Sequence, residues 1–357
     1  LPDHVAADAI SERFERLYPG ETFAPWDWAF VAEAIRRERY DLDLDALAPY
    51  LGADKVLNAV YGAAERLYGI TFERRPDLRG HTADAEVYEV KDADGSTVGL
   101  FIMDFWARPT KQGGAWMNNI VNQSHLLGEL PVVTNNCNYA RGTTTISWDG
   151  VITMFHEFGH ALHGLFADSR YPSHSGSNTP RDFVEFPSQV NEHWAWEPDA
   201  VIPAEWAAKM QAADRFNQGF GNYEIWSAMV LDQAWHTTPL DQLPESADQV
   251  EDFERRALEA AGLGYDLIPP RYRSQYFAHI WGSGYAAAYY SYVWAEVMDA
   301  DAVAWFDANG GGTRANGEHF RRTLLAPGGS VDVMSTWRSF IGRDPDIAPL
   351  LKRKGLA

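Results

Sequence analysis

Cysteine is almost absent from this chain, because Cys137 is the only one among 357 residues. An intramolecular disulfide is therefore impossible, which favours a reducing compartment and predicts a cytoplasmic location. Cys137 stands in the stretch VVTNNCNYA, where nothing nearby in the sequence would lower the pKa of its thiol. We expect a small buried residue there rather than a nucleophile.

Long hydrophobic runs and a surplus of basic residues are missing as well. No stretch reaches the roughly 18–20 apolar residues of a membrane span, and the apolar run VGLFIM is broken by Asp104. The first residues, LPDHVAADAI, lack the pattern of a signal peptide. The 30 Lys and Arg against 50 Asp and Glu give a net charge of -20. Nucleic acids and anionic membranes bind clustered positive charge, so neither is an expected partner.

Aromatic residues, in contrast, are abundant, with 14 Trp and 16 Tyr. This density suits a thick helical core and also a groove that grips extended ligands. The length of 357 residues allows one large domain or two. The sequence begins with Leu1 rather than Met, and we expect the chain to be a piece of something longer.

Apolar residues recur at helical spacing over residues 4–75 and again from residue 205 onward. Between these regions, residues 85–109 alternate, turn at an Asp-Gly pair and alternate again, which predicts a β-hairpin. Residues 131–139 and 142–147 are candidates for further strands. The predicted fold class is mainly α with a small, antiparallel-containing sheet next to a helix that holds the stretch HEFGH.

The stretch HEFGH places His156 and His160 four residues apart, with Glu157 between them. On a helix, residues i and i+4 share one face about 6 Å apart, so both imidazoles can bind one Zn²⁺. Glu157 is turned about 100° from His156, where its carboxylate can reach metal-bound water. Two ordinary helix histidines beside an acid are the alternative. Ser147 and Asp149 are suited to cap this helix.

A catalytic zinc site of this kind needs a third protein ligand. The longer HExxHxxGxxH pattern does not apply, because His163 stands in place of its Gly and Phe166 in place of its His. His163 lies roughly 10.5 Å along the helix axis from His156, too far to share the ion. We expect His163 to be hydrogen-bonded near the site, and a role in orienting a ligand or contacting substrate is the alternative.

The best candidate for the third ligand lies in the stretch PRDFVEFPSQVNEHWAW. Glu185 is expected there on a short helix, where it would complete a His₂Glu site and leave a fourth position for water. Glu192, one helical face further on, is the competing candidate. The residues suited to orienting the ligands are Asp182, Ser188 and Gln189.

A second group of residues lies in the stretch FAHIWGSGYAAAYYSYVWAEV: His279, Gly282, Gly284, Tyr285, Tyr289 and Tyr292. The tyrosines recur at helical spacing in a helix predicted over residues 285–306, so they share a face. A packed aromatic stripe is the ordinary explanation. Neutral Tyr and His can also donate hydrogen bonds to the oxyanion that forms when water adds to a peptide carbonyl. We expect Gly282, Gly284 and Tyr289 to contact substrate.

Together these residues resemble the thimet-oligopeptidase-like zinc metallopeptidases, family M3. Four long segments carry the resemblance: FHEFGHALHGLFADSRYPSHSG, PRDFVEFPSQVNEHW, HIWGSGYAAAYYSYVWAEV and LLAPGGSVDVMSTWRSFIGRDP. The shorter segments PWDWAF, DFWARPTKQGGAWM and PVVTNNCNY extend it over nearly the whole chain. Within the family, these segments are most similar to the peptidyl-dipeptidase branch, the dipeptidyl carboxypeptidases.

The resemblance implies a zincin-type catalytic core in a mainly helical molecule, split by a deep channel that admits short, unstructured peptides. It also implies one Zn²⁺ per chain with three ligands: His156, His160 and Glu185. Glu157 is implied as the general base. The groups implied around the scissile bond are His279, Tyr285 and Tyr292, with Tyr292 as the main oxyanion donor.

Members of this family are much longer and have an additional helical N-terminal half. We expect residues 1–80 to be a helical segment that leads into the catalytic domain, residues 81–357, with the family's N-terminal half absent or supplied as a separate fragment. The expected activity is zinc-dependent hydrolysis of short peptides with release of C-terminal dipeptides. The alternatives are endo-acting oligopeptidase activity and an inactive peptide-binding fragment.

Release of dipeptides requires a group that holds the substrate's C-terminal carboxylate. The basic candidates are Arg108, Lys111, Arg181, Arg271 and Arg273, and the sequence does not choose among them. The segment GLFIMDFW in the predicted hairpin is expected to pair with the extended substrate backbone.

Overall fold

A computed structural model describes residues 4–356 of the protein. The α-helices are α1 (His4–Leu17), α2 (Trp28–Tyr40), α3 (Ala53–Tyr68), α4 (Trp148–Leu165), α5 (Arg181–Val184), α6 (Phe186–Glu192), α7 (Ala204–Asp214), α8 (Gln218–Thr237), α9 (Val250–Ala260), α10 (Ala278–Gly282), α11 (Ser291–Ala308), α12 (Arg314–Phe320), α13 (Val333–Ile341) and α14 (Ala348–Arg353). The strands are β1 (Thr71–Arg74), β2 (Glu86–Lys91), β3 (Thr97–Trp106), β4 (Trp116–Val121) and β5 (Val132–Tyr139). The predicted class, mainly α with a small sheet, is confirmed. None of the helices in the described part of the chain is long and apolar enough to cross a membrane.

The chain divides into two compact units. Unit 1 takes the residues up to Asp43 together with Ala208–Tyr292. Unit 2 takes Leu44–Ala207 together with the residues from Val293 onward. The domain boundary predicted at residue 80 stays a prediction.

Unit 1 is built around apolar stripes on its first two helices. Ile10 and Phe14 of α1 are buried in one cluster with Trp28, Val31 and Ile35 of α2. The intervals of three and four residues within each helix place these side chains on one face, which the two helices turn towards a common core. The helices predicted from periodicity in this region are therefore confirmed.

Unit 2 contains the sheet, whose strand order is β1-β2-β3-β5-β4. Strands β3 and β5 run parallel, and the other neighbours are antiparallel. Strands β2 and β3 form the predicted hairpin, with Gly95 at a φ of 85° in its turn. The segment GLFIMDFW lies in β3 at the centre of the sheet, between β2 and β5. Its predicted pairing with substrate is wrong, because the strands on both sides already use its backbone groups.

Three local predictions also fail. Residues 142–147 form a turn with one isolated bridge instead of a strand. Strand β1 falls in a stretch predicted as helical. Strand β4 is, in addition, a strand that was not predicted, because its central asparagines have low strand propensity. The helix predicted over residues 285–306 begins at Ser291. Each failure concerns a segment whose conformation depends on partners elsewhere in the chain.

Cys137 lies on β5 and is 1% exposed. Burial raises the pKa of its thiol to about 12. The thiol is therefore protonated near neutral pH, as expected for a small core residue.

Candidate metal centre

Helix α4 carries the HEFGH stretch and begins at a side-chain cap. The hydroxyl oxygen of Ser147 accepts a 3.1 Å hydrogen bond from the backbone N–H of Gly150. Most side chains from Gly150 to Leu165 are buried, on several faces of the helix. A helix that is buried on several faces is held by packing on more than one side, so the histidines stand on a well-supported element. The predicted cap at Ser147 is confirmed.

Helix α4 lies close to α6 at Gly159. A Cβ at this position would lie 2.6 Å from Cα of Ser188 and 2.9 Å from the carbonyl oxygen of Pro187. Both are backbone atoms that cannot move aside cheaply, so glycine alone fits. On the same side, Nδ2 of Asn191 donates a 2.7 Å hydrogen bond to the carbonyl oxygen of Phe155. Gly159, between the two histidines, therefore allows α6 to come close to α4, together with Glu185, which directly precedes α6.

Three candidate ligand atoms converge beside α4. Nε2 of His156 and Nε2 of His160 each lie 3.2 Å from Oε2 of Glu185. Donor atoms at 2.0–2.1 Å from a tetrahedral Zn²⁺ lie roughly 3.3 Å apart. In the described part of the chain, these residues form a group whose donor atoms all lie within 4.8 Å of one another. Two imidazoles and one carboxylate at this spacing fit a divalent metal ion.

The charges of this group depend on one another. Glu185 is 2% exposed. Burial raises the pKa of its carboxyl, but the imidazoles of His160 and His156 outweigh that effect and hold the pKa well below its usual range. Burial lowers the pKa of His156, but Glu185 and Glu192 outweigh burial and raise it. A carboxylate that remains ionised in a buried place is suited to a cation.

Glu192 contacts the other nitrogen of His156. Its Oε1 lies 2.7 Å from Nδ1 of His156. Because a carboxylate accepts, Nδ1 carries the proton in this contact, and in the neutral ring Nε2 then has the lone pair that a metal needs. The geometry therefore favours Glu185 over Glu192 as the third ligand and places Glu192 where it can orient the imidazole.

The residues considered for orienting Glu185 lie on the two short helices around it. The hydroxyl of Ser188 donates a 2.7 Å hydrogen bond to the carbonyl oxygen of Glu185, and it lies 3.3 Å from Oε2 of that residue. Ser188 therefore contacts both the backbone and the carboxylate of the candidate ligand. The other two residues are half-buried on α5 and α6: Asp182 and Gln189.

Glu157 follows the first histidine and is 6% exposed. Its Oε2 has no hydrogen-bond partner among residues 4–356. Burial raises the pKa of this carboxyl, and the imidazoles of His156 and His160 oppose the rise only in part. A buried carboxylate oxygen without a protein partner is able to accept a proton from water or substrate.

His163 does not behave as expected. It is 0% exposed, and neither ring nitrogen has a hydrogen-bond partner in the described part of the chain. Burial, together with the nearby His160, lowers the pKa of His163 to about 3. The expected hydrogen bond is therefore wrong. The ring is neutral at ordinary pH and packs within the core, which makes the lack of a partner less costly than it would be for a charged group.

The second group of predicted residues forms one aromatic cluster in unit 1. The rings of Tyr285 and Tyr292 stack at 5.3 Å and 17°. The His279 ring lies 5.9, 5.3 and 6.1 Å from those of Tyr285, Tyr289 and Tyr292. The predicted shared helix face is wrong, because Ala287 has a φ of 54° and α11 begins only at Ser291. The tyrosines meet around a turn instead.

The two predicted glycines flank the bend before this turn. Gly282 ends α10, and Gly284 has a φ of 81°. A φ in this range favours glycine over residues with a Cβ. Both glycines are exposed, and their contact with substrate stays a prediction.

Several basic candidates for holding a substrate carboxylate already pair with acids. Arg108 and Lys111 lie 2.7 and 3.0 Å from the carboxylate of Asp104, which is 0% exposed. Arg273 pairs with the buried carboxylate of Glu254. Residues committed to a buried acid are less suited to a passing ligand, because releasing them would leave that acid unpaired. The remaining candidates are exposed: Arg181 and Arg271.

Two features of the site were not identified from the sequence: the close approach at Gly159 and the hydrogen bond from His156 to Glu192. A signal existed for both. Glycine inside a helix costs about 1 kcal/mol relative to alanine, which points to a packing requirement. Glu192 follows Glu185 by seven residues, about two helical turns, so both carboxylates face the same side.

A model of peptidase family M3 matches residues 6–356. The chain is 47% identical to the dipeptidyl carboxypeptidase of Escherichia coli (strain K12), over 98% of this chain and 53% of that protein. Identity to the dipeptidyl carboxypeptidase of Salmonella typhimurium (strain LT2) is 46%, over 94% and 52%. Identity to Escherichia coli oligopeptidase A is 32%, over 93% and 51%. The chain thus spans about half the length of these curated relatives, and it belongs to peptidase family M3.

Proposed function

We propose that this chain is a zinc-dependent peptidase that releases dipeptides from the C-terminus of short, unstructured peptides. The observation that carries the proposal is the convergence of His156, His160 and Glu185, with the buried carboxylate of Glu157 on the same helix as the histidines. Membership of family M3 and the similarity to two dipeptidyl carboxypeptidases support it.

Zinc is the proposed metal, one ion per chain, with His156, His160 and Glu185 as its ligands. When bound, zinc supplies Lewis acidity, which lowers the pKa of water towards about 7 and polarises a peptide carbonyl. A set of two histidines and one carboxylate is typical of catalytic zinc sites, whereas structural sites are usually closed by cysteines. Glu192 supports the set by fixing the proton of His156 on Nδ1.

Glu157 is the proposed general base. Its carboxylate takes a proton from water as the water oxygen attacks the carbonyl carbon of the scissile peptide bond. The same carboxyl then donates this proton to the leaving amine nitrogen, so that the enzyme returns to its starting state. Burial, which raises the pKa of Glu157, brings its proton affinity closer to what both transfers require.

His279, Tyr285 and Tyr292 are the proposed donors to the oxyanion that develops on the carbonyl oxygen. A neutral phenol or imidazole donates a hydrogen bond without competing for the metal. Their clustering in unit 1 supports a shared task. Tyr292 is the main donor in this proposal, and it alone among the tyrosines at issue stands on a regular helix, α11.

Strand β4 is the proposed binding edge for the substrate backbone. One edge of β4 pairs with β5, and the other edge has no strand partner in the described part of the chain. An extended peptide can add to such an edge through main-chain hydrogen bonds, whatever its side chains. This assignment replaces the central strand β3, whose edges are both paired.

The cleavage position distinguishes this proposal from its closest alternative. Endo-acting oligopeptidase activity is the second candidate, and the similarity to oligopeptidase A favours it. We expect the zinc-loaded chain to shorten a defined peptide by two residues at a time from its C-terminus. The same peptide with an amidated C-terminus should resist cleavage, because the terminal carboxylate has been removed.

Mass analysis of the products decides among the candidates. Internal cleavage of the amidated peptide would identify an endopeptidase. Binding of the peptide without any hydrolysis would identify an inactive peptide-binding fragment. A longer form that includes the family's N-terminal half, the other proposed partner, should show whether that half changes the cleavage position.

A cytoplasmic location completes the proposal. The single, buried Cys137 supports it, because a reducing compartment leaves thiols unpaired. Cell fractionation tests this point, and recovery of the native protein with an extracytoplasmic fraction would contradict it.

A further inference from the structure

The turn between α10 and α11 carries Tyr285 and leads directly to Tyr292 on α11, and its backbone is unusual. Ala287 has a φ of 54°, in a region that residues with a Cβ rarely adopt. Such a conformation persists only where the surroundings hold it in place. The structure shows those surroundings on α8.

Asp232 on α8 binds the turn through its backbone. Its Oδ1 accepts a 2.8 Å hydrogen bond from the N–H of Ala287, and its Oδ2 accepts one of 2.8 Å from the N–H of Tyr289. Nε2 of Gln233 donates a 3.0 Å hydrogen bond to the carbonyl oxygen of Ala287. Nδ1 of His236 lies 3.0 Å from Oδ1 of Asp232. Both backbone groups of Ala287 are thus held by α8.

An aspartate suits this position for a specific reason. Asp232 is 0% exposed, and burial of a carboxylate is costly unless several donors satisfy it. Two N–H groups meet two oxygens here. Asparagine offers one oxygen and an NH₂ group that cannot accept. The two backbone amides therefore explain why a carboxylate is buried at this position. A residue that only filled the core would be apolar.

The turn that Asp232 holds connects the rings of the aromatic cluster. The N–H of Tyr285, at its start, donates a 3.0 Å hydrogen bond to the carbonyl oxygen of His279. Tyr292, just beyond its end, stacks on Tyr285 at 5.3 Å. The two amides that donate to Asp232 lie between Tyr285 and Tyr292 in the sequence. A displacement of the turn would therefore change how the rings of Tyr285 and Tyr292 are aligned.

We propose that Asp232 is a positioning residue that keeps this turn in the shape that aligns Tyr285 and Tyr292. The inference rests on the proposed function, because the alignment matters for turnover only if these tyrosines stabilise the oxyanion. Asp232 acts through two backbone amides and contacts no reacting atom.

Hydrogen exchange tests whether Asp232 stabilises the turn, and it does not require enzymatic activity. In the parent chain, the amides of Ala287 and Tyr289 should exchange slowly. In Asp232→Asn we expect their exchange to be at least about tenfold faster, because one acceptor is lost. Asp241→Asn, an exposed acid in the same unit, is the matched control and should leave them unchanged. Equal exchange in Asp232→Asn and the parent would overturn the inference.

Steady-state kinetics test whether the hydrogen bonds from the turn to Asp232 matter for the proposed role of Tyr292 in turnover. Asp232→Asn should lower kcat by roughly 10–100-fold, less than the roughly 10²–10³-fold for removing an oxyanion donor outright, while zinc content stays at the parent level. In a Tyr292→Phe background the same substitution should cost less than about threefold, because residues that act through one another are not additive. Equal losses in both backgrounds would show that Asp232 acts independently of Tyr292 and would contradict the proposal.

A second pair of variants applies if Asp232→Asn does not fold. Ala287 is exposed, so changes there alter the turn without disturbing the core. Ala287→Val disfavours a positive φ and should speed exchange at Tyr289 and lower kcat, whereas Ala287→Gly accepts this φ and should stay close to the parent. Identical behaviour of the two variants would contradict the proposal. A parent chain that hydrolyses no peptide would refute the proposed function, while the exchange result would still decide whether Asp232 holds the turn.

Discussion

The metal-ligand region of unit 2 and the tyrosine turn of unit 1 hold their side chains by different means. The two histidines of HEFGH stand on a regular helix, and Gly159 allows α6 to bring Glu185 close to them. Tyr285 and Tyr289 stand on an irregular turn that is bound by Asp232, more than 50 residues earlier in the chain. Local helical periodicity thus positions the histidines of the first region. Hydrogen bonds to a residue far away in the sequence hold the backbone of the second.

This difference determines how each region should respond to change. Substitution of a proposed ligand, or of a residue that places one, should appear first as a loss of bound zinc. Damage to the tyrosine turn should appear as a loss of turnover with the zinc retained. The opposite response in either region would contradict this distinction.

The largest expected effect comes from Glu157, which lies between the two histidines on α4 and is proposed as the base rather than as a ligand. Glu157→Gln removes the proposed base, so kcat should fall by roughly 10³–10⁴-fold, while zinc stoichiometry stays at the parent value. Peptide hydrolysis and metal analysis of the same samples measure both. Glu65→Gln, an exposed glutamate of α3, is the control. Undiminished hydrolysis by Glu157→Gln would refute the assignment of the base.

The second-largest effect is expected beside the tyrosine turn, at Tyr292. Tyr292→Phe removes one hydroxyl donor, so kcat should fall by about 10²–10³-fold, with KM and zinc content nearly unchanged. Steady-state kinetics on a defined peptide measure this split. Tyr18→Phe, at a tyrosine of unit 1 that is 43% exposed, should behave as the parent. Parental kinetics of Tyr292→Phe would mean that this ring only packs.

A smaller effect concerns Glu192, which contacts Nδ1 of His156. Glu192→Gln keeps a hydrogen-bond acceptor but removes the negative charge beside Nδ1. Zinc should therefore bind about 10–100-fold more weakly, with the three ligands in place. Competition with a chelator gives the dissociation constant. An unchanged constant would assign Glu192 to the protein surface and would remove it from the metal region.

The smallest effect tests the packing that brings α6 to α4. Gly159→Ala places a Cβ against the backbone of α6, so it should lower the free energy of unfolding by about 1–3 kcal/mol and weaken zinc binding. Gly62→Ala on α3, where nothing lies within 4 Å of an added Cβ, should instead raise it by about 0.5–1 kcal/mol. Denaturant unfolding measures both. Similar values for the two variants would contradict the close approach.

The parts of this molecule that sequence could predict are those with a local signal. The spacing of His156 and His160 and the apolar stripes of α1 and α2 are periodic, and the structure has helices at all three places. Ala287 gives no local sign of a positive φ, because the partners that bind its backbone groups lie on α8, far away in the sequence. The neutral, partnerless state of His163 likewise depends on packing from several elements.

The sheet shows the same limit. The hairpin of β2 and β3 has an Asp-Gly turn and alternating residues, and it was predicted. Strand β4 has no such pattern and exists because β5 offers it an edge. The parallel pairing of β3 with β5 joins segments that are not neighbours in sequence. As a consequence, the outer edge of β4, and neither edge of β3, is without a strand partner among residues 4–356, and this could not be predicted from either segment alone.

The zinc affinity of the parent chain and of Glu185→Ala, measured by competition with a chelator, tests the proposed metal centre most directly, with Glu65→Ala as the control. We expect one tightly bound zinc ion per chain in the parent and in the control, and a loss of most of that affinity in Glu185→Ala. Parental stoichiometry and affinity in Glu185→Ala would contradict the proposed metal centre, because the ion would then be held without the carboxylate that meets both imidazoles.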